Sequence, residues 1–178
     1  MKSRAENLEF GLLGLLSKGP LHGYELRKRM MDLVGPFRAL SFSLIYPQLR
    51  KMLREGHIKE SAGKVDSRRP RIIYEITPRG LARFSELVES VSSLAWDDEG
   101  FEIRFAFFGR TPTKSRIKVL EGRLARLEER AQILRKEMNS SMPGVDRYIN
   151  EWRSIARESA EREIEWLKGL IANERKTK

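Results

Sequence analysis

Between Leu21 and Pro78 the order of chain breakers, helix-forming runs and β-branched runs admits few folds. LHGYELRKRM opens one helix, and a second carries Tyr46-Pro47-Gln48-Leu49-Arg50-Lys51-Met52-Leu53 and is closed by Gly56. A hairpin pattern, HIKESAGKVDSRRPRIIYEIT, follows at once, and its tip holds Lys64, Arg68, Arg69 and Arg71. Two short helices followed by a hairpin with a basic tip is the order of a winged helix-turn-helix. That arrangement sets its second helix in a DNA groove and its wing on the neighbouring backbone.

The flanking punctuation extends the reading. A first helix is expected over about residues 5–17, with Leu8, Leu12, Leu13, Leu15 and Leu16 as a broad apolar face, stopped by Lys18-Gly19-Pro20. The second is expected from about His22 to Val34, burying Tyr24, Met30, Leu33 and Val34, and ending at Gly35-Pro36. Ser41 or Ser43 can cap the third helix, which buries Ile45, Leu49, Met52 and Leu53 and tolerates Pro47 in its first turn. Gly56 suits the position just past that helix, where a positive φ is common. Ile58 then opens the first wing strand, and Arg71–Thr77 forms the second. Thr77-Pro78 reads as an N-cap followed by proline at the first helical position, opening a helix to about Ala95.

Trp96-Asp97-Asp98-Glu99-Gly100 interrupts the periodicity and marks the expected boundary between a domain of residues 1–95 and one of residues 100–178. A short helix, Phe101–Phe108, should lead to a long one opened by Thr111-Pro112. There Ile117, Leu120, Leu124, Leu127, Ala131, Leu134 and Met138 step by threes and fours, a heptad seam. Ser141-Met142-Pro143-Gly144 ends it. A last helix over about residues 146–172 carries Ile149, Trp152, Ile155, Ala156, Ile164, Leu167, Leu170 and Ile171. Two such helices joined by a Pro-Gly turn make an antiparallel pair. Their apolar area exceeds what one pair hides, which implies self-association through Ile117, Leu120, Leu124, Leu127, Leu134, Met138, Ile149, Trp152 and Leu167. The expected fold class is therefore mainly α: a winged helix-turn-helix with a two-stranded wing, plus a helical antiparallel-pair dimerisation domain.

Charge supports this division. Residues 1–80 hold 16 Lys and Arg against 8 Asp and Glu, whereas residues 81–178 hold 19 against 17. The excess of +8 against +2 thus lies on the part that reads as a winged helix, in a hairpin tip and along a helix. A membrane-surface helix would instead set its cations opposite Trp, Phe and Leu on one helix. Duplex DNA is the better partner. No run approaches a membrane span, MKSRAEN is no signal peptide, and the absence of cysteine excludes disulfides, Cys-based zinc sites and a thiol nucleophile. A cytoplasmic setting fits.

Several strings resemble the PadR family of bacterial transcription factors. They are Gly14-Leu15-Leu16, Gly19-Pro20-Leu21-His22-Gly23-Tyr24-Glu25-Leu26, Ile45-Tyr46-Pro47-Gln48-Leu49-Arg50, Glu55-Gly56, Arg69-Pro70-Arg71 and Tyr74-Glu75-Ile76-Thr77-Pro78. Each is weak alone; in order and at family spacing over the first 80 or so residues they are specific. FEIRFAFFGR and the two amphipathic helices resemble the longer members more loosely. The resemblance implies a homodimeric winged-helix regulator, most often a repressor, released from its operator by a small molecule or other signal. Leu44 stands where the family usually has Ser or Thr, and Arg68 where it usually has Gly.

For DNA, the third helix offers Ser43, Tyr46, Gln48, Arg50, Lys51 and Arg54. Gln pairs with adenine and Arg with guanine, while hydroxyls suit phosphate. For any one of them a solvated helix face is an equal alternative, and Arg54, near the helix end, reads better as a dipole-compensating charge. Tyr46 is divided between core and DNA face, and the family places it at the DNA. Lys64, Arg68, Arg69 and Arg71 of the wing face only Asp66 as counter-charge, so phosphate or minor-groove contact is favoured over mere solubility. His22 and Tyr24 are expected in the first turn of the second helix, where backbone N–H groups attract phosphate; capping or packing explains His22 as well.

Neither His22 nor His57 belongs to a metal-spacing motif, no phosphate loop or nucleophile elbow occurs, and the carboxylates of the last helices alternate with Lys and Arg. No catalytic residue, metal or cofactor is expected. Trp96, Trp152, Trp166 and the run Phe101, Phe105, Phe107, Phe108 could line a pocket for a small aromatic or hydrophobic effector; core and interface are the commoner uses. The rival reading is a non-DNA helical adaptor whose basic wing is incidental.

Overall fold

The structure is a computed structural model. It describes the backbone of residues 2–34, 42–62, 72–139 and 147–176, with the side chains of 2–4, 34, 42, 43, 62, 138 and 139 left aside. Lys64, Arg68, Arg69, Arg71, the side chains of Ser43 and Met138, and the turns at Gly35-Pro36 and Pro143-Gly144 lie outside the described residues. The chain is mainly helical and forms two compact units, residues 1–112 and 113–178.

In the first unit α1 (Lys2–Leu16) is the central element. Leu8, Phe10, Leu12, Leu13, Leu15 and Leu16 are all buried, so α1 is apolar on nearly every side. Around it lie α2 (Gly23–Val34), α3 (Phe42–Arg54) and α4 (Pro78–Glu89). The sheet has three antiparallel strands, β1 (Leu21–His22), β2 (Ile58–Ala62) and β3 (Ile72–Ile76), in the order β1-β3-β2. The hairpin register pairs Ile58 with Ile76 and Ala62 with Ile72, while Leu21 faces Tyr74 and His22 faces Ile73. The two-stranded wing thus gains a short third strand. His22 belongs to that strand rather than to the first turn of α2.

The joint between α3, the hairpin and α4 is closely tied. Gly56 has φ +70°, the left-handed conformation that lets the chain leave α3 sharply. Thr77 caps α4, its Oγ1 accepting from the Gly80 N–H at 3.1 Å and lying 2.7 Å from the Gly56 carbonyl, to which it can donate. A Cβ on Gly80 would stand 2.0 Å from the His57 carbonyl oxygen, so only glycine permits this approach of α4 to the hairpin.

Three boundaries differ from expectation. α4 ends at Glu89, and residues 93–96 form a separate 3-10 turn, so the helix does not continue to Ala95. α5 (Asp98–Phe105) starts earlier than Phe101, and the first unit runs on to Pro112 instead of ending near residue 95. The reason is burial: Ile103 and Phe107 enter the same core as α1 and α4, and Phe101 is buried as well. Phe10, Phe84 and Phe107 form a ring cluster with centroids 5.3–5.9 Å apart. Arg104 is buried beside them, 4.7 Å from the Phe10 ring, and donates to the Leu87 carbonyl at 2.9 Å. Burial pulls its guanidinium below the ordinary value, and Glu6 opposes this. Phe101 and Phe107 are thus core residues.

The second unit is α6 (Thr113–Asn139) and α7 (Arg147–Lys176). Ion pairs join Arg116 to Glu174, Arg123 to Glu163, Arg135 to Glu161 and Glu137 to Arg153, an order that only antiparallel helices give. Leu120, Leu127 and Ala131 on α6 are buried with Ala160, Ile164, Leu167 and Ile171 on α7, both series at heptad spacing. Ile117, Leu124 and Leu134 are half-buried along the same seam.

Candidate nucleic-acid interface

On a helix advancing about 100° per residue, Ile45, Leu49 and Met52 of α3 define the inward stripe. Gln48, three residues from Ile45 and four from Met52, falls inside that stripe. Its exposure is 6%, and its Nε2 is buried without a hydrogen-bond partner. Gln48 is therefore not on the outer face, contrary to the sequence expectation: position on the helix overrides its polarity. The outer face carries Tyr46, 44% exposed, together with Arg50 and Arg54. Arg54 shares this face, although its place near the helix end suggested a surface charge alone. Lys51 lies at the flank and pairs with Glu55 at 3.7 Å.

Tyr24, expected in the core, is 74% exposed. The first residues of α2 follow directly on β1, and Leu26 and Met30 take the inward positions in Tyr24's place. His22, Tyr24, Lys28, Tyr46 and Tyr74 line one groove between α2, α3 and the sheet. Arg50 borders the same place. The Tyr74 phenol is pushed up by burial, then by Glu60 and Tyr46, while Arg50 lowers it. His22 is half-buried, with Nδ1 lacking a hydrogen-bond partner.

The electrostatics of this face come from pairing. Arg29 is held by Glu25 one turn earlier, and Lys59 by Glu75 at 3.0 Å across the hairpin. That lysine, followed by Ser61, holds the Glu75 carboxyl below its usual range. Lys28 and Arg50 are exposed and form no ion pair among the described residues. With Arg54, likewise exposed and without an ion pair among the described residues, the face presents three cations and two exposed phenols, a set suited to phosphate oxygens and base edges. Of the sequence-predicted residues, it gathers His22, Tyr24, Tyr46 and Arg50. Lys28 was missed, although it stands in the basic run Arg27-Lys28-Arg29, four residues from Tyr24, where helical spacing could have found it.

On α7 the apolar residues divide. Leu167 and its heptad neighbours are spent within the chain's own pair, as are Leu120 and Leu127 of α6. Ile149, Trp152 and Ile155 are exposed, Trp152 by 72%. The expected dimerisation set is therefore of two kinds, an internal seam and an outward patch at the start of α7. No helix of the described residues is long and apolar enough to cross a membrane.

A sequence profile of the Transcriptional regulator PadR-like family matches residues 12–86. The chain is similar to the Negative transcriptional regulator PadR of Bacillus subtilis (strain 168), with 25% identity over 182 residues, 93% of this chain and 96% of that one. Among solved structures it is similar to Bacillus subtilis PadR in complex with operator DNA, with 21% identity, TM-score 0.43, and coverage of 94% of this chain and 98% of that one. It is also similar to the PadR-like transcriptional regulator of Bacillus cereus, with 23% identity, TM-score 0.43, and coverage of 96% and 99%. A third is Bacillus subtilis PadR in complex with p-coumaric acid, with 22% identity, TM-score 0.41, and coverage of 96% and 97%.

Proposed function

We propose that this chain, whose residues 12–86 match the PadR-like family of transcriptional regulators, belongs to that family and acts in the cytoplasm as a homodimeric repressor on a palindromic operator. The observation that carries the DNA reading is the outer face of α3 and α2. Arg50 and Lys28 stand exposed and form no ion pair among the described residues, flanked by Tyr46 and Tyr24. Arg29, Lys51 and Lys59 nearby are held by carboxylates, whereas Lys28 and Arg50, with Arg54 further along α3, are left able to release counterions from DNA. The basic residues Lys64, Arg68, Arg69 and Arg71 of the wing loop extend the positive surface by sequence position.

The homodimer rests on Ile149, Trp152 and Ile155. Half of α7 buries its apolar residues against α6, and this other half leaves them in water. A second copy of the same patch, related by a two-fold axis, covers both at once. Two α3 helices set about 34–36 Å apart then match half-sites one turn of DNA apart. Repression is the sense carried by the name of the Bacillus subtilis relative, a negative regulator. Release by a small aromatic or hydrophobic effector follows from the family resemblance.

Selection of bound duplexes from a random pool tests this reading. The expected result is an inverted repeat with half-site centres about one helical turn apart. Recovery of random sequence would refute specific operator binding.

A further inference from the structure

We propose that Glu9, Glu55 and His57 form a divalent transition-metal site at the base of the hairpin, with zinc-class chemistry. The three side chains come from α1, from the residue after α3 and from the residue before β2. One donor atom from each lies within 4.8 Å of the others. Glu9 is 4% exposed and His57 8% exposed, both deep for groups able to carry charge.

The distances carry the argument. His57 Nδ1 is buried and has no hydrogen-bond partner. It faces Glu55 Oε2 at 3.5 Å and Glu9 Oε1 at 3.8 Å. Both separations exceed a good hydrogen bond. They are close to the spacing of neighbouring ligands on one ion, since bonds of about 2.0–2.2 Å at tetrahedral angles set donors about 3.3–3.6 Å apart. One imidazole nitrogen with two carboxylates suits a borderline ion such as Zn²⁺, Mn²⁺ or Co²⁺. Three protein ligands leave a position for water.

The surroundings hold the ligands in place. The His57 N–H donates to the Met52 carbonyl at 2.9 Å, and the His57 carbonyl accepts from the Thr77 N–H at 3.0 Å. Glu9 Oε1 accepts from Arg83 Nε at 2.9 Å, which orients the carboxylate as an outer partner does in metal sites. A carboxylate oxygen has two lone pairs, so that bond leaves one for an ion. Glu55 is more exposed, also touches Lys51, and can close the third side by a side-chain movement. Bound metal would join α1 to the entry of the hairpin.

The test uses the full chain without a histidine tag, treated with chelator and titrated with Co²⁺ and Zn²⁺. One ion per chain is expected, with visible Co²⁺ absorption of a nitrogen and oxygen ligand set and a melting temperature raised by added metal. His57→Ala should abolish the absorption, and Glu55→Gln should weaken binding at least about tenfold. Glu55 is the safer arm, because Glu9→Gln also disturbs Arg83. His22→Ala, at the other histidine, should leave binding unchanged. Absence of binding, or binding that survives both His57→Ala and Glu55→Gln, overturns the proposal.

Discussion

Replacing Gln48 by methionine separates two accounts of α3. The side chain is 6% exposed and its Nε2 finds no partner. A buried amide donor left unsatisfied costs about 1–3 kcal/mol. Methionine has nearly the same length and shape and fills irregular space without polar atoms. Its thioether meets the same neighbours as Ile45, Leu49 and Met52 on the inward stripe. Gln48→Met should therefore raise unfolding stability by about 1–2 kcal/mol, allowing for imperfect repacking. It should leave DNA affinity within about twofold, since no base edge is lost. Urea denaturation followed by far-UV circular dichroism gives the first quantity, and fluorescence anisotropy with a selected duplex gives the second. A tenfold or greater loss of affinity for the selected duplex, with random DNA unaffected, would mean that Gln48 reads a base and that α3 presents a different face.

Other outcomes follow from particular contacts. Thr77→Ala removes the cap of α4 and should cost about 1–2 kcal/mol in the same denaturation assay, with Thr77→Ser recovering most of it; equal losses in both would deny the hydroxyl its role. Arg50→Ala should weaken the selected duplex by about 1–3 kcal/mol and random DNA by less, while Arg69→Ala in the wing should weaken both alike; equal ratios in anisotropy titrations would contradict this division. Trp152→Asp should raise the dimer dissociation constant at least about tenfold by sedimentation, because it puts a charge into an apolar patch while leaving the α6–α7 seam intact. A dimer unchanged by it would move the interface elsewhere.

Much of the fold was legible because the chain marks its own turns. Gly56 and Thr77-Pro78 fix the ends of α3 and α4 through backbone conformation and capping, which are local properties. The heptad of α6 showed its partner because its period is carried over many residues. β1 was not legible: two residues between Pro20 and Gly23 are too few for any period to show, and their strand character comes from Tyr74 and Ile73 across the sheet. The placement of α5 was hidden for a related reason, since Phe101, Ile103 and Phe107 announce burial but not the unit that buries them. The site was half legible. Tyr46 and Arg50 follow from the apolar stripe of α3, and the same stripe, drawn through Ile45 and Met52, would have turned Gln48 inward. The metal-site residues escaped because Glu9 and His57 are far apart in sequence and match no spacing motif.

The salt dependence of DNA affinity tests the central claim most directly. Lys28 and Arg50 are exposed and form no ion pair among the described residues, so a dimer brings at least four such cations to the duplex. Each phosphate neutralised contributes a slope of about −0.9 in log K against log salt, giving about −4 or steeper in all. Anisotropy titrations of the selected duplex across a salt series should return that slope, and a Lys28→Ala, Arg50→Ala double variant should flatten it markedly. A slope near zero from low to physiological salt, or one that the double variant leaves unchanged, would contradict the account.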